Sequence, residues 1–126
     1  DMLSGGERQR VIIAKAVVQD PMLFLLDEPT SDLDIRNQVS IMKKIRQIVS
    51  DANSEKSAIV AIHDINMAAR FADRVVLLDR GRITADGTPS EVLTEANIAE
   101  VFGVSCDIIP EEYGKGSLRI LIKDEV

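Results

Sequence analysis

Four short stretches place reactive side chains at spacings that suit phosphate chemistry. Asp27 and Glu28 close the run Leu23-Phe24-Leu25-Leu26-Asp27-Glu28-Pro29-Thr30. The carboxyl end of a parallel strand opens onto a ligand crevice, so adjacent carboxylates there can serve a metal and a water. On that reading Asp27 would hold Mg2+, and Glu28 would orient and polarise an attacking water. The same pair also reads as a solvated acidic loop after a core strand. His63, the one histidine of the chain, follows Ile62 and precedes Asp64. It stands at the end of a strand expected to neighbour that of Asp27, although a lone histidine at a strand end is also commonly structural. Leu3-Ser4-Gly5-Gly6-Glu7-Arg8-Gln9-Arg10 opens a helix. Its two glycines let a backbone approach a ligand closely, and free N–H groups with the macrodipole favour an anion there. Ser4-x-x-Glu7 is equally an ordinary capping box. Ser31-Asp32-Leu33-Asp34 follows the paired carboxylates directly.

The elements that must position these residues can be read from periodicity. A helix is expected over 5–19, closed by Gln19-Asp20-Pro21, because proline cannot continue the hydrogen-bond ladder. The apolar run 23–26 reads as a strand buried on both faces. Ile35, Val39, Met42, Ile45 and Val49 recur at helical spacing, which predicts an amphipathic helix over 35–50. Residues 57–62 form a second buried strand, Ile65 to Ala72 a short helix, and 74–78 a third strand. Asp79-Arg80-Gly81-Arg82 signals a tight turn into a strand at 82–85, with another turn at Asp86-Gly87. Thr88-Pro89-Ser90-Glu91 combines an N-cap, a first-turn proline and a capping glutamate. A further helix over 95–102 stops at Gly103, and 105–122 reads as two strands joined by a Gly114/Gly116 turn. Strand–helix alternation followed by a smaller mixed tail argues an α/β fold with a mainly parallel sheet.

Composition narrows the partners. The 126 residues are 45% hydrophobic and 29% charged, enough for a core, with a net charge of −6. An acidic chain gains nothing from counterion release, so nucleic acid is not expected as a partner. Apolar runs of about five residues fall far short of the ~20 that cross a bilayer, so no direct membrane insertion is expected. The single Cys106 cannot form an internal disulfide. No signal peptide opens the chain, which begins at Asp1 almost within a motif and reads as a piece of a longer protein.

Taken in order, LSGGERQR, LFLLDEPTSDLD and AIHD resemble the signature motif, Walker B motif, D-loop and switch histidine of ATP-binding-cassette ATPases. The match covers nearly the whole chain. It implies the C-terminal part of a P-loop NTPase fold over 1–104, with a β-hairpin-like extension over 105–126. It also implies ATP and Mg2+ as ligands, and a second ATPase subunit packed head to tail, in a homodimer or beside a similar chain. By similarity, Ser4, Gly5 and Gly6 would donate to the γ-phosphate bound on that partner. Asp27 and Glu28 would serve the nucleotide of this chain's own subunit, with His63 touching its γ-phosphate and Asp34 linking the two sites. Glu7 stands where glutamine is usual, and a second negative charge beside a phosphate argues for a capping role instead. A phosphate loop needs G-x-x-x-x-G-K-[ST]. The glycines at 5, 6, 81, 87, 103, 114 and 116 build no such loop. In the family it lies upstream with further strands, so the isolated chain is expected to be inactive and to leave an apolar sheet face or edge uncovered.

Three functions remain open on these residues: the ATPase subunit of a membrane importer, a soluble ATPase head of the DNA-repair, chromosome-clamp or translation-factor kind, and a non-enzymatic interaction fragment. Arg8-Gln9-Arg10-Val11-Ile12-Ile13-Ala14 resembles transporter ATPases. Gly81-Arg82-Ile83, then Gly87 through Thr94, then Val101-Phe102-Gly103-Val104 resemble the tail of importers for iron chelates, haem or cobalamin. The importer reading brings polytopic membrane permease subunits as partners and a place on the cytoplasmic face of the cell membrane.

Overall fold

The computed structural model describes residues 5–53, 55–111 and 117–126. The chain divides into two compact units, Asp1–His63 and Asp64–Val126. The first contains α1 (Gly5–Val18), β1 (Leu23–Asp27), α2 (Ile35–Ser50) and β2 (Ser57–Ala61). α1 stops where expected. Asp20 adopts a left-handed φ of 51°, its N–H donates to the Val17 carbonyl at 2.9 Å, and Pro21 bars another helical turn. Lys56 ion-pairs with Asp20 and donates to the Pro21 carbonyl at 3.0 Å, tying the approach to β2 against the end of α1.

β1 and β2 pair in parallel, in register from Leu23 with Ser57 to Asp27 with Ala61. Burial alternates along them. Phe24 is 6% exposed, while Leu23, Leu25 and Ile59 are 48%, 72% and 61% exposed. The expectation of strands buried on both faces is therefore corrected. Among the described residues one face is covered and the other, carrying Leu23, Leu25 and Ile59, is open, as an uncovered sheet face requires. α2 contributes Ile41, Met42 and Ile45 to the core. Ile35, placed by periodicity on the same stripe, is 79% exposed. It is the first helical residue and lies before the turns that pack.

The second unit contains α3 (Ile65–Phe71), β3 (Val75–Asp79), β4 (Arg82–Gly87), α4 (Pro89–Val92), α5 (Glu95–Phe102), β5 (Val104–Pro110) and β6 (Leu118–Glu125). The α/β class holds, with parallel pairing confined, among the described residues, to β1–β2; β3 pairs antiparallel with β4, and β5 with β6. The β3–β4 turn works because Arg80 and Gly81 both take positive φ, 49° and 76°, the backbone twist a two-residue hairpin needs. The expected caps are present: Thr88 accepts from Glu91 N and Thr94 from Asn97 N, and Gly103 closes α5 at φ 69°. The expected Gly114/Gly116 turn lies outside the described residues. Ala69, Val75, Leu77, Val92, Leu93, Ile98, Cys106 and Ile120 form one core. Asn66 clips β6 to α3 through both amide atoms, accepting from Ile120 N at 2.8 Å and donating to Ile120 O at 3.1 Å.

Two outcomes are expected in denaturant titrations. Ile98→Ala empties the centre of the second core and lowers stability by about 2–5 kcal/mol, whereas Leu25→Ala, on the open face, costs under about 1 kcal/mol. Arg74 grips Asp86 with two bonds of 2.7 Å, and this hydrogen bonding holds the Asp86 carboxyl below its usual range. A lowered folded-state value stabilises above the unfolded carboxylate pKa of about 4 and is lost as pH falls through the folded value. Asp86→Asn should therefore lower stability at neutral and alkaline pH and flatten its fall on the acid side, where the contribution of the carboxylate is already lost.

Candidate functional site

The parallel ladder brings three of the expected site residues to one end. Past Asp27 and Ala61 the pairing gains one more bond, Glu28 N–H to the Ala61 carbonyl at 2.8 Å. The chain then turns sharply, with Ser31 N donating to Glu28 O at 3.1 Å and Thr30 buried beneath. The turn forces Glu28 to φ 47°, a left-handed conformation uncommon for a residue with a Cβ. Asp27 ends β1 on the open face beside Ala61, and Leu25, Leu26, Asp27, Ile59 and Ala61 line a shallow apolar groove there. Glu28 and His63 meet, carboxylate Oε1 against ring Nε2. The Glu28 side chain is 37% exposed and that of His63 89%, so the pair is in contact yet open to a ligand.

Among the described residues no cluster of three or more His, Cys, Asp or Glu side chains is poised to enclose a metal. Asp27 is a single exposed carboxylate. That suits Mg2+, which keeps several waters and is held through one or two carboxylates plus substrate phosphates. It does not suit a metal caged by protein alone.

A second group of expected residues gathers at the start of α1. Ser4 lies outside the described residues. Gly6 is buried, and a Cβ on it would come within 2.7–2.9 Å of the Asn37 side-chain amide. A Cβ on Gly5 would meet Leu33 Cδ2 at 3.1 Å. The glycines thus admit the loop that carries Asp34, a close packing that operates whether or not a ligand also approaches. Asp34 is the N-cap of α2, its Oδ1 accepting from Asn37 N at 2.8 Å. Arg10 reaches across from α1 and donates to Asn37 Oδ1 at 3.0 Å. Sequence reasoning missed Asn37. Its only sequence trace is the pair of glycines, which signals a close approach without saying by what.

Residues 1–31 match the ABC transporter family. Along 96% of its length the chain is 39% identical to the hemin import ATP-binding protein of Bordetella avium, covering 48% of that protein. The chain spans about half the length of the curated relatives it matches. Its fold superposes on a metal-chelate type ABC transporter in an inward-facing conformation with a TM-score of 0.80 and 27% identity, over 98% of this chain and 48% of that one. It also resembles a dimeric ATP-binding cassette in a post-hydrolysis state with ADP and Pi, at TM-score 0.59 and 33% identity, over 69% of this chain and 36% of that one.

The glycine packing yields a sign-reversing prediction. Gly6→Ala should destabilise the chain by about 1–3 kcal/mol, since its methyl group collides with Asn37. In an Asn37→Ala background the collision is gone, and the same change should become neutral or stabilise by about 0.5–1 kcal/mol through helix propensity. Urea melts of the four chains decide it.

Proposed function

We propose that this chain is part of an ATP-binding-cassette ATPase, and that it supplies the catalytic carboxylate of one nucleotide site and the signature helix of another in a transport ATPase. The observation that carries the reading is the meeting of Glu28 and His63 at the carboxyl end of the β1–β2 ladder, with Asp27 beside them. Glu28 accepts a proton from a water as that water's oxygen bonds to the γ-phosphorus of ATP. The bond from the γ-phosphorus to the bridging oxygen breaks, and ADP and phosphate leave. His63 steadies the Glu28 carboxylate and offers its ring to the γ-phosphate. Asp27 is the residue that would hold Mg2+, which when bound offsets the charge on the phosphate oxygens.

Ser4, Gly5 and Gly6 serve the nucleotide held by a second ATPase subunit, and Asp34 lies between the two sites. Residues 1–104 carry these ATPase elements and 105–126 extend them. The assembly docks polytopic permease subunits at the cytoplasmic face of a membrane and drives import of an iron chelate or haem. The likeness to a hemin import ATP-binding protein and a metal-chelate type transporter, with the tail motifs at 81–83, 87–94 and 101–104, supports that substrate class. Among the described residues no helix is long and apolar enough to cross a membrane.

No G-x-x-x-x-G-K-[ST] occurs in the 126 residues, so the chain by itself should neither bind Mg-ATP tightly nor turn it over. Calorimetry with and without a separate N-terminal half bearing a phosphate loop tests this. Binding in the mixture alone is expected. Tight binding by the chain alone would relocate the nucleotide site and overturn the mechanism. In the reconstituted ATPase, Glu28→Gln should lower kcat by about 100-fold or more while Mg-ATP still binds, as loss of a positioned base requires.

A further inference from the structure

Asn37 belongs to none of the motifs, yet three separate contacts converge on it. Its N–H donates to Asp34 Oδ1 at 2.8 Å, and its Oδ1 accepts from Arg10 Nη2 at 3.0 Å. Its amide group fills the space that a Cβ on Gly6 would enter. One turn earlier Leu33 closes on Gly5, and Gln38 Nε2 holds the Leu33 carbonyl at 3.0 Å. The Asp34 loop and the first turn of α1 therefore meet at one residue, the loop at its backbone N–H and the helix at its short, planar side chain. A planar amide lodged between a buried backbone and a guanidinium has few alternative rotamers. Displacing Asp34 pulls on the N–H of Asn37, and the side chain cannot follow without disturbing Gly6 or releasing Arg10.

We propose that Asn37 is a positioning residue that links Asp34 to the Gly5–Gly6 entrance of α1, so that a displacement of either is transmitted to the other. Its meaning for catalysis rests on the nucleotide roles proposed above for Gly5, Gly6 and Asp34. The linkage itself is a property of the folded chain. A nucleotide drawn against Gly5 and Gly6 would shift Asp34 through the side chain and then the backbone N–H of Asn37, a route that does not pass along the β1–β2 ladder.

Amide NMR on the full chain, without nucleotide, tests the linkage. Asp34→Ala should move the Gly6 amide resonance. In an Asn37→Ala background that displacement should fall by roughly threefold or more, the mark of a coupled pair. Asn37→Asp keeps the acceptor and the shape and should restore it. Arg10→Met, an exposed change on the far side of the link, should weaken it as well. A merely structural role would disturb the ladder amides of Phe24 and Val60 alongside Gly6, whereas these should stay still. The proposal is overturned if Gly6 ignores Asp34→Ala in the unaltered chain. It is equally overturned if Gly6 responds undiminished in the Asn37→Ala and Arg10→Met chains. Should Asn37→Ala fail to fold, the Arg10→Met comparison decides alone. Lost linkage with normal Mg-ATP binding in the reconstituted enzyme removes only this proposal. Intact linkage with tight nucleotide binding by the chain alone removes only the functional reading.

Discussion

Two strands running in the same direction can share a hydrogen-bond ladder only if the chain travels back between them, and α2 makes that return here. Everything at the candidate site depends on the resulting alignment of Asp27 with Ala61. Because the strands end together, the residues just past each end are neighbours, although far apart in sequence. The extra bond from Glu28 N–H to the Ala61 carbonyl holds the backbone while the chain bends away into a turn. A left-handed residue with a side chain costs on the order of 1 kcal/mol, and the ladder together with the Ser31–Glu28 turn bond holds it there. The outcome is two consecutive carboxylates in different surroundings. Asp27 sits in extended backbone on the open face, and Glu28 is swung against His63.

Much of this was legible in the residues. Asp20-Pro21, Thr88-Pro89, Arg80-Gly81 and Gly103 each impose a backbone geometry by themselves, so the element boundaries they mark agree with the structure. The neighbouring strands of Asp27 and His63 followed from a short apolar run before each motif. Burial was less legible. Leu23, Leu25 and Ile59 have the composition of strands covered on both faces, yet what covers a sheet is decided by elements distant in sequence, which no local pattern reports. Ile35 shows the same limit at helix scale, since periodicity gives a direction but not the point at which packing starts. Asn37 was illegible for a third reason. Its contacts with Arg10 and Gly6 cross between helices, and asparagine in a first helical turn looks locally unremarkable.

The two units also rest on different means of stabilisation. The second has a closed apolar core around Ile98 and Leu93, reinforced by the Asn66 clip and the grip of Arg74 on Asp86. Among the described residues the first has a smaller buried apolar set, Ile13, Phe24, Ile41, Met42 and Ile45. The residues that could act on a phosphate are thus in the unit with less buried apolar area, where small displacements are less costly.

The pairing pattern also bears on the order in which structure appears. β3 and β4 are separated by only a two-residue turn and can zip together without first closing a long loop. β1 and β2 must close a loop of about thirty residues before a single ladder bond forms, and must do so with α2 already spanning most of the gap. Of the described strand pairs, the ladder that carries Asp27 and Glu28 closes the longest loop, and its apolar face is the one left open to wrong strand partners.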